Sequence, residues 1–160
     1  MEANIEREPV VKFHAEVGND YKITIPHFER KVLSISTNDI LGVILRRVEI
    51  DSAKNVVNVL KSVYTVVRVG ARGKIFLSPK IRKVLGVSRG DLVEVLIVSI
   101  RRVRVSSSGD EKLPIMVIIK EPIIEELTNF DKEAETVFKK GVTYVHIEEE
   151  GKEPEEATPH

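Results

Sequence analysis

Nine Lys and Arg fall in or beside two stretches that repeat one another, Lys80 and eight candidate contacts. Lys22, Arg30 and Lys31 belong to the first, and Arg72, Lys74, Arg82, Lys83 and Arg89 to the second. Lys and Arg gathered on one face neutralise phosphates and release the counterions condensed around them, so such a cluster suits a polyanion and holds it in a salt-dependent way. The formal charge of the chain is zero, but its placement is uneven: −1 over residues 1–60, +9 over 61–120 and −8 over 121–160. A basic middle followed by an acidic end is the pattern of a polyanion-binding surface with a separate acidic element. Two solvated faces of a stable protein give the same totals.

Other chemistry finds little support. His14, His27, His146 and His160 are isolated and lack metal-ligand spacing. The chain has no cysteine, which excludes disulfides and thiolate metal sites. "VGARGK" lacks the GK[ST] ending of a phosphate-binding Walker loop, and no local signature of a Ser-His-Asp arrangement occurs. The expectation is a protein that is not an enzyme and needs neither cofactor nor metal.

The elements that must position the basic residues are themselves repeated. "GKIFLSPKIRKVLGVSRGD" (Gly73 to Asp91) lies 52 residues after "YKITIPHFERKVLSISTND" (Tyr21 to Asp39). The two share Lys22/Lys74, Ile23/Ile75, Arg30/Arg82, Lys31/Lys83, Val32/Val84, Leu33/Leu85, Ser36/Ser88 and Asp39/Asp91 without a gap. A fixed-offset match of this kind reads as duplication. Each copy opens with a β-branched strand, "VKFHAEV" or "YTVVRV", followed by a Gly-containing turn and a second short strand, "KITI" or "KIFL". A brief helix comes next. In the second copy Ser78 suits the N-cap, Pro79 the first helical position and Gly86 the left-handed C-terminal position. The first helix, from Pro26 to Ser34, has weaker caps. Long strand pairs follow: "ILGVILRRVEI" with "VVNVLKSV", and "LVEVLIVSIRRVRV" with "LPIMVII" around "SSSGDEK".

Pro122 opens a third region. Ile123, Ile124, Leu127, Phe130, Ala134, Val137 and Phe138 recur at helical spacing, and Gly141 ends the run. This stripe is expected to pack on the repeats, with a partner-binding helix as the alternative. A strand "VTYVHI" and an acidic, disordered tail complete the chain. The expected divisions are a first repeat over residues 10–60, a second over 61–120, a helix-strand extension over 121–147 and the tail over 148–160. Hydrophobic residues make up 42% and aromatics only 5%, so the core is expected to be aliphatic and the fold mainly β with short helices (α+β). No apolar run has the length of a membrane span, and the polar start "MEANIEREPV" is not a signal peptide, so a cytoplasmic location is expected. The absence of Gln and Trp beside abundant Lys, Arg and Glu is a bias also met in hyperthermophile proteins.

The stretch "GKIFLSPKIRKVLGVSRGDLVEV", Gly73 to Val95, resembles the AbrB/SpoVT/MazE swapped-hairpin family: a basic turn, an apolar strand, a basic pair before Leu-Gly, a Gly-Asp turn and a Val-Glu-Val strand. The first copy follows the pattern from Tyr21 to about Val43 and keeps Ile25-Pro26. Double-psi barrels carry similar turns. The resemblance implies a tandem swapped-hairpin β-barrel made of two interleaved copies, closed within one chain or between chains. It also implies DNA binding in transcription regulation, with the turn contact at Lys22 and Lys74 and the helix contacts at Arg30, Lys31, Arg82 and Lys83. Arg72 and Arg89 add to the basic cluster of the second copy, which is expected to dominate. A strand arginine of the family falls on Ala15 and Val67; Arg68, one residue on, is expected to face the opposite way. Tyr21 replaces the family's Gly, and Ser78 its Pro. The alternative function is a protein-interaction module, scaffold or antitoxin-like, that uses the C-terminal helix and acidic tail to hold a protein partner or a second copy.

Overall fold

Alternating Val, Ile and Leu give the chain its strands, because successive side chains on a strand face opposite ways and one set can be buried. The computed structural model describes residues 3–102 and 123–147. Its elements are β1 (Ala3–Glu8), β2 (Val11–Glu16), β3 (Lys22–Thr24), α1 (His27–Val32), β4 (Ile40–Asp51), β5 (Val56–Arg68), β6 (Lys74–Phe76), α2 (Pro79–Leu85), β7 (Leu92–Arg101), β8 (Ile124–Glu126), α3 (Phe130–Lys140) and β9 (Val142–Ile147). The fold is mainly β with a few short helices. The strand "LPIMVII", the turn "SSSGDEK" and the acidic end fall outside the described residues. Among the described residues, no helix is long and apolar enough to cross a membrane.

All pairings are antiparallel. One sheet has the order β2-β7-β4-β5-β8, and two ribbons pair β3 with β6 and β1 with β9. Among the described residues the hydrogen bonding does not close into a barrel. β3 and β6 have three residues each and pair with no strand of the large sheet. They cover the large sheet instead of joining it, since Ile23 and Ile75 enter the same buried cluster as Val43, Leu45, Val93 and Val95.

The pairing repeats at the 52-residue offset seen in the sequence. Ile23 opposes Ile75 at the centre of the β3–β6 ribbon, and Ile44 opposes Leu96 at the centre of β4–β7. Phe13 opposes Val95, while its counterpart Thr65 opposes Val43. Backbone bonds follow suit: Val17 N donates to Asp91 O and Val69 N to Asp39 O, both at 2.9 Å. Ile25 N donates to Gly73 O and Leu77 N to Tyr21 O, again both at 2.9 Å. The two copies are therefore related by a pseudo-two-fold axis, and the first strand of each pairs with the long strand of the other.

The helices obey local chemistry. Ser78 Oγ accepts from Ile81 N at 3.3 Å, Pro79 stands at the first position, and Gly86 ends α2 at φ 73°. Helix α1 starts at Pro26 without a side-chain cap. The last carbonyls of α2 are met by Arg47 (Nη1 to Gly86 O, 3.0 Å) and Lys61 (Nζ to Val84 O, 3.1 Å). Those of α1 are met by Arg102, which donates to Ser34 O at 2.7 Å and Leu33 O at 2.6 Å. Cations suit these ends because the helix dipole is negative there.

The C-terminal region departs from expectation. Ile124 begins strand β8, paired to β5 with Thr65 opposite Ile124, and α3 starts only at Phe130. The open edge of β5 offers backbone partners that outweigh the helical spacing, and Asn129, whose Oδ1 accepts from Lys132 N at 2.9 Å, is the actual N-cap. The stripe packs on the sheet only in part: Leu127 and Val137 lie against Ile44, Tyr64, Leu96 and Val98, as expected, but its phenylalanines do not. Glu133 and Thr136 are the buried residues of α3, whereas Phe130 and Phe138 stand 76% and 71% exposed. The cause lies in the sheet. Arg46 on β4 donates to Glu94 Oε1 at 2.6 Å and, through Nε, to Glu133 Oε1 at 3.1 Å; its Nη2 meets Glu133 Oε2. His14 Nε2 lies 2.7 Å from Glu94 Oε2. Burial opposes the charge on Arg46, yet the hydrogen bonds from Glu133 and Glu94 outweigh it and hold its pKa above the ordinary value. A largely buried guanidinium must be paired, so α3 presents its carboxylate inward and its phenylalanines outward.

Candidate functional site

On the β3–β6 ribbon the side chains alternate about the buried Ile23–Ile75 pair, so Lys22, Thr24, Lys74 and Phe76 point away from the core. Lys22 lies opposite Phe76 and Thr24 opposite Lys74. Beside the ribbon, the turn Ala71–Gly73 carries Arg72, and β5 ends in Arg68. Lys22, Arg68, Arg72, Lys74 and Phe76 line one depression of about 490 Å³, with Gly70 and Ala71 completing its wall. Arg72 is held at φ 61°, in the left-handed region that costs a side-chain-bearing residue about 1–2 kcal/mol. Strain of that kind persists where the surrounding fold imposes it, as at binding sites.

The pseudo-symmetry exposes an imbalance. Lys74 Nζ lies 3.6 Å from Asp20 Oδ2. At the 52-residue offset, Asp20 corresponds to Arg72 and Lys74 to Lys22. One end of the ribbon thus carries an ion pair, and the equivalent positions at the other end carry two cations. Asp20 titrates below its usual value. Slight desolvation works the other way, and it is outweighed by hydrogen bonds from the backbone N–H groups of Lys22 and Asp20 and by the charges of Lys74 and Lys22.

The remaining basic residues divide into two kinds. Arg30 and Arg82 sit at equivalent positions and each covers the turn of the other copy. Arg30 Nε donates to Ile25 O at 3.1 Å, and its chain runs so close over Gly73 that a Cβ there would lie 2.2 Å from Cδ. Arg82 stacks on the ring of Tyr21, the counterpart of Gly73, at 3.7 Å from the centroid, and Arg89 approaches the same ring at 4.6 Å. Such contacts contribute about 0.5–2 kcal/mol each. Lys31 and Lys83 are exposed on the last turns of α1 and α2 and do not line the depression. The fold therefore gathers Lys22, Arg72 and Lys74, and uses Arg30 and Arg82 to tie the copies together.

Besides Gly70 and Ala71, two residues of the depression, Arg68 and Phe76, lie outside the set expected from sequence. Arg68 does face away from the buried Val67 and Val69, but the outward face is where the basic residues collect. Phe76 stands between the fully buried Ile75 and Leu77 and is itself 49% exposed. The signal for both is strand alternation, which marks an aromatic at an outward position as unusual.

A second depression, about 380 Å³, lies between β5 and the start of α3 and is lined by Val59, Leu60, Leu127 and Phe130 above Arg46 and Glu133. Among the described residues, no group of three or more His, Cys, Asp or Glu is placed to hold a metal ion.

Comparison with protein-family models gave no match, and none was found among curated proteins. Among solved structures, the solution structure of PHS018 from Pyrococcus horikoshii is similar, at 25% identity and a TM-score of 0.46, over 61% of this chain and 98% of that one. A likeness at that score assigns neither a fold family nor an activity.

Proposed function

We propose that the chain binds DNA through the outer face of the β3–β6 ribbon, as a transcription regulator of the AbrB-like type whose two copies interleave as one swapped-hairpin unit. The exchange of strands between copies supports the arrangement. The observation that carries the function is the pair of cations, Lys22 and Arg72, at the positions equivalent to the Lys74–Asp20 ion pair. Like charges in one depression repel, and an anion held among them turns that repulsion into attraction. Lys22, Arg68, Arg72 and Lys74 then neutralise successive phosphates, giving affinity that falls steeply with salt. A gel-shift titration of duplex DNA at about 50 and 200 mM salt tests this. The Lys22→Ala/Arg72→Ala/Lys74→Ala variant should bind more weakly, with its log–log salt slope reduced by roughly 3. An unchanged slope and affinity would sink the reading.

A second reading has one observation in its favour: Phe130 and Phe138, two turns apart on α3, are both exposed. It makes the protein an interaction module, with a second copy of the chain as the simplest occupant of that stripe. Sedimentation of wild type against Phe130→Ala/Phe138→Ala separates the two readings.

A further inference from the structure

We infer that the depression around Phe76 is a stacking site for an unpaired nucleobase, so that this face, which meets any DNA through its phosphates, prefers a single-stranded stretch to an intact duplex. The inference rests on the nucleic-acid reading above and narrows its substrate class. Phosphate binding needs only the cations; it gives no reason for a phenylalanine among them. Phe76 is half exposed on the outward side of β6, with Lys22 directly across the ribbon and Arg72 and Lys74 on the same depression. Its counterpart in the first copy is the small, polar Thr24, so the ring is not a requirement of the ribbon. The wall beside it is Gly70 and Ala71, which leaves the approach free of bulky side chains, and the space of about 490 Å³ is of the size that takes a small ligand.

These parts match what an unpaired nucleotide offers and a duplex withholds. In a duplex the base faces are covered by neighbouring bases, and only edges and phosphates reach a protein surface. In a single strand the face is free. It stacks on an aromatic ring whatever the base, while flanking phosphates lie against Lys and Arg. Phe76 is then the stacking platform, with Lys22 across the ribbon and Arg72 and Lys74 on the same depression as phosphate contacts.

The test uses three labelled probes with the full chain: a single strand of mixed sequence, about a dozen nucleotides long, an abasic strand of the same length and the corresponding duplex. Wild type should hold the base-bearing strand about 5- to 100-fold more tightly than the abasic one, the range that stacking of one base supplies. Phe76→Ala should abolish that ratio and leave abasic binding unchanged, and Phe76→Trp should keep it. Equal binding of base-bearing and abasic strands by wild type overturns the stacking site while leaving the cationic face intact. The stacking site is overturned equally if Phe76→Ala weakens both strands alike, or if the duplex binds most tightly of the three. Failure of all three probes to bind overturns the nucleic-acid reading itself. Phe76 has no place in the buried core, and an unchanged thermal midpoint confirms that both variants fold.

Discussion

The two copies share a backbone but hold it by different means. Three positions adopt the left-handed conformation in both. In the second copy all are glycine, namely Gly73, Gly86 and Gly90, at φ 71°, 73° and 86°. In the first they are Tyr21, Ser34 and Asn38, at φ 58°, 52° and 76°. At these three positions the second copy meets the geometry without steric cost, whereas the first is forced into it by the pairing with its twin. What the first copy gains at Tyr21 is a ring on which Arg82 and Arg89 stack. What the second gains at Gly73 is room for Arg30. Equivalent arginines thus fasten the two copies by opposite devices, an added ring and an absent side chain. The charges differ in the same spirit, since the first copy pairs its turn through Asp20 and the second leaves Arg72 and Lys22 together.

Substitution at the glycine turn should cost the most stability. Gly73→Ala places a Cβ against Arg30 in a left-handed backbone, and the displaced arginine loses its bond to Ile25 O. The strain and the lost bond together should destabilise the protein by about 2–3 kcal/mol in urea unfolding. A smaller effect sharpens the strained side. Ser34→Gly relieves a left-handed residue, opposed by the greater freedom of glycine in the unfolded chain, and should stabilise by less than about 1 kcal/mol. Gly86→Ala at the equivalent position should lower stability, because the new Cβ meets Arg47 Nη1 at 3.0 Å. For a chain of this size each kcal/mol moves the thermal midpoint by about 2–4 °C, with opposite signs expected for the two variants. The smallest effect concerns charge. Asp20→Asn removes the partner of Lys74 and gives the first end of the ribbon the cationic character of the second, so polyanion affinity should rise about two- to five-fold at low salt. An equal rise for a Glu29→Gln control would show that net charge, and not the Lys74 site, is responsible.

Much of this is legible in the sequence. The 52-residue offset becomes a pseudo-two-fold axis in the hydrogen bonding, and the caps of α2 stand at Ser78, Pro79 and Gly86 as their side chains dictate. These features are local, or repeat a local pattern, so residue types alone reveal them. The orientation of α3 is hidden. Periodicity reports that Phe130, Ala134 and Phe138 share one face but not whether that face meets the protein, and here the answer is set by Arg46, 87 residues away from Glu133 in the chain. Helical spacing takes in Ile124 for a related reason: the open edge of β5 that claims β8 is a tertiary fact. Strand alternation sends Arg68 to the face opposite Val67, but that this is the face where the cations gather depends on β3 and β6 lying across the sheet.

The buried contact between Arg46 and its two carboxylates also bears on heat. The cost of stripping water from charges falls as temperature rises, whereas the benefit of burying hydrocarbon levels off. A helix fastened by an ionic clasp therefore loses less of its hold on warming than one fastened by leucines. α3 is held by such a clasp together with the packing of Val137 on Ile44, Tyr64, Leu96 and Val98, so the ionic share of its hold is the part that heat weakens least.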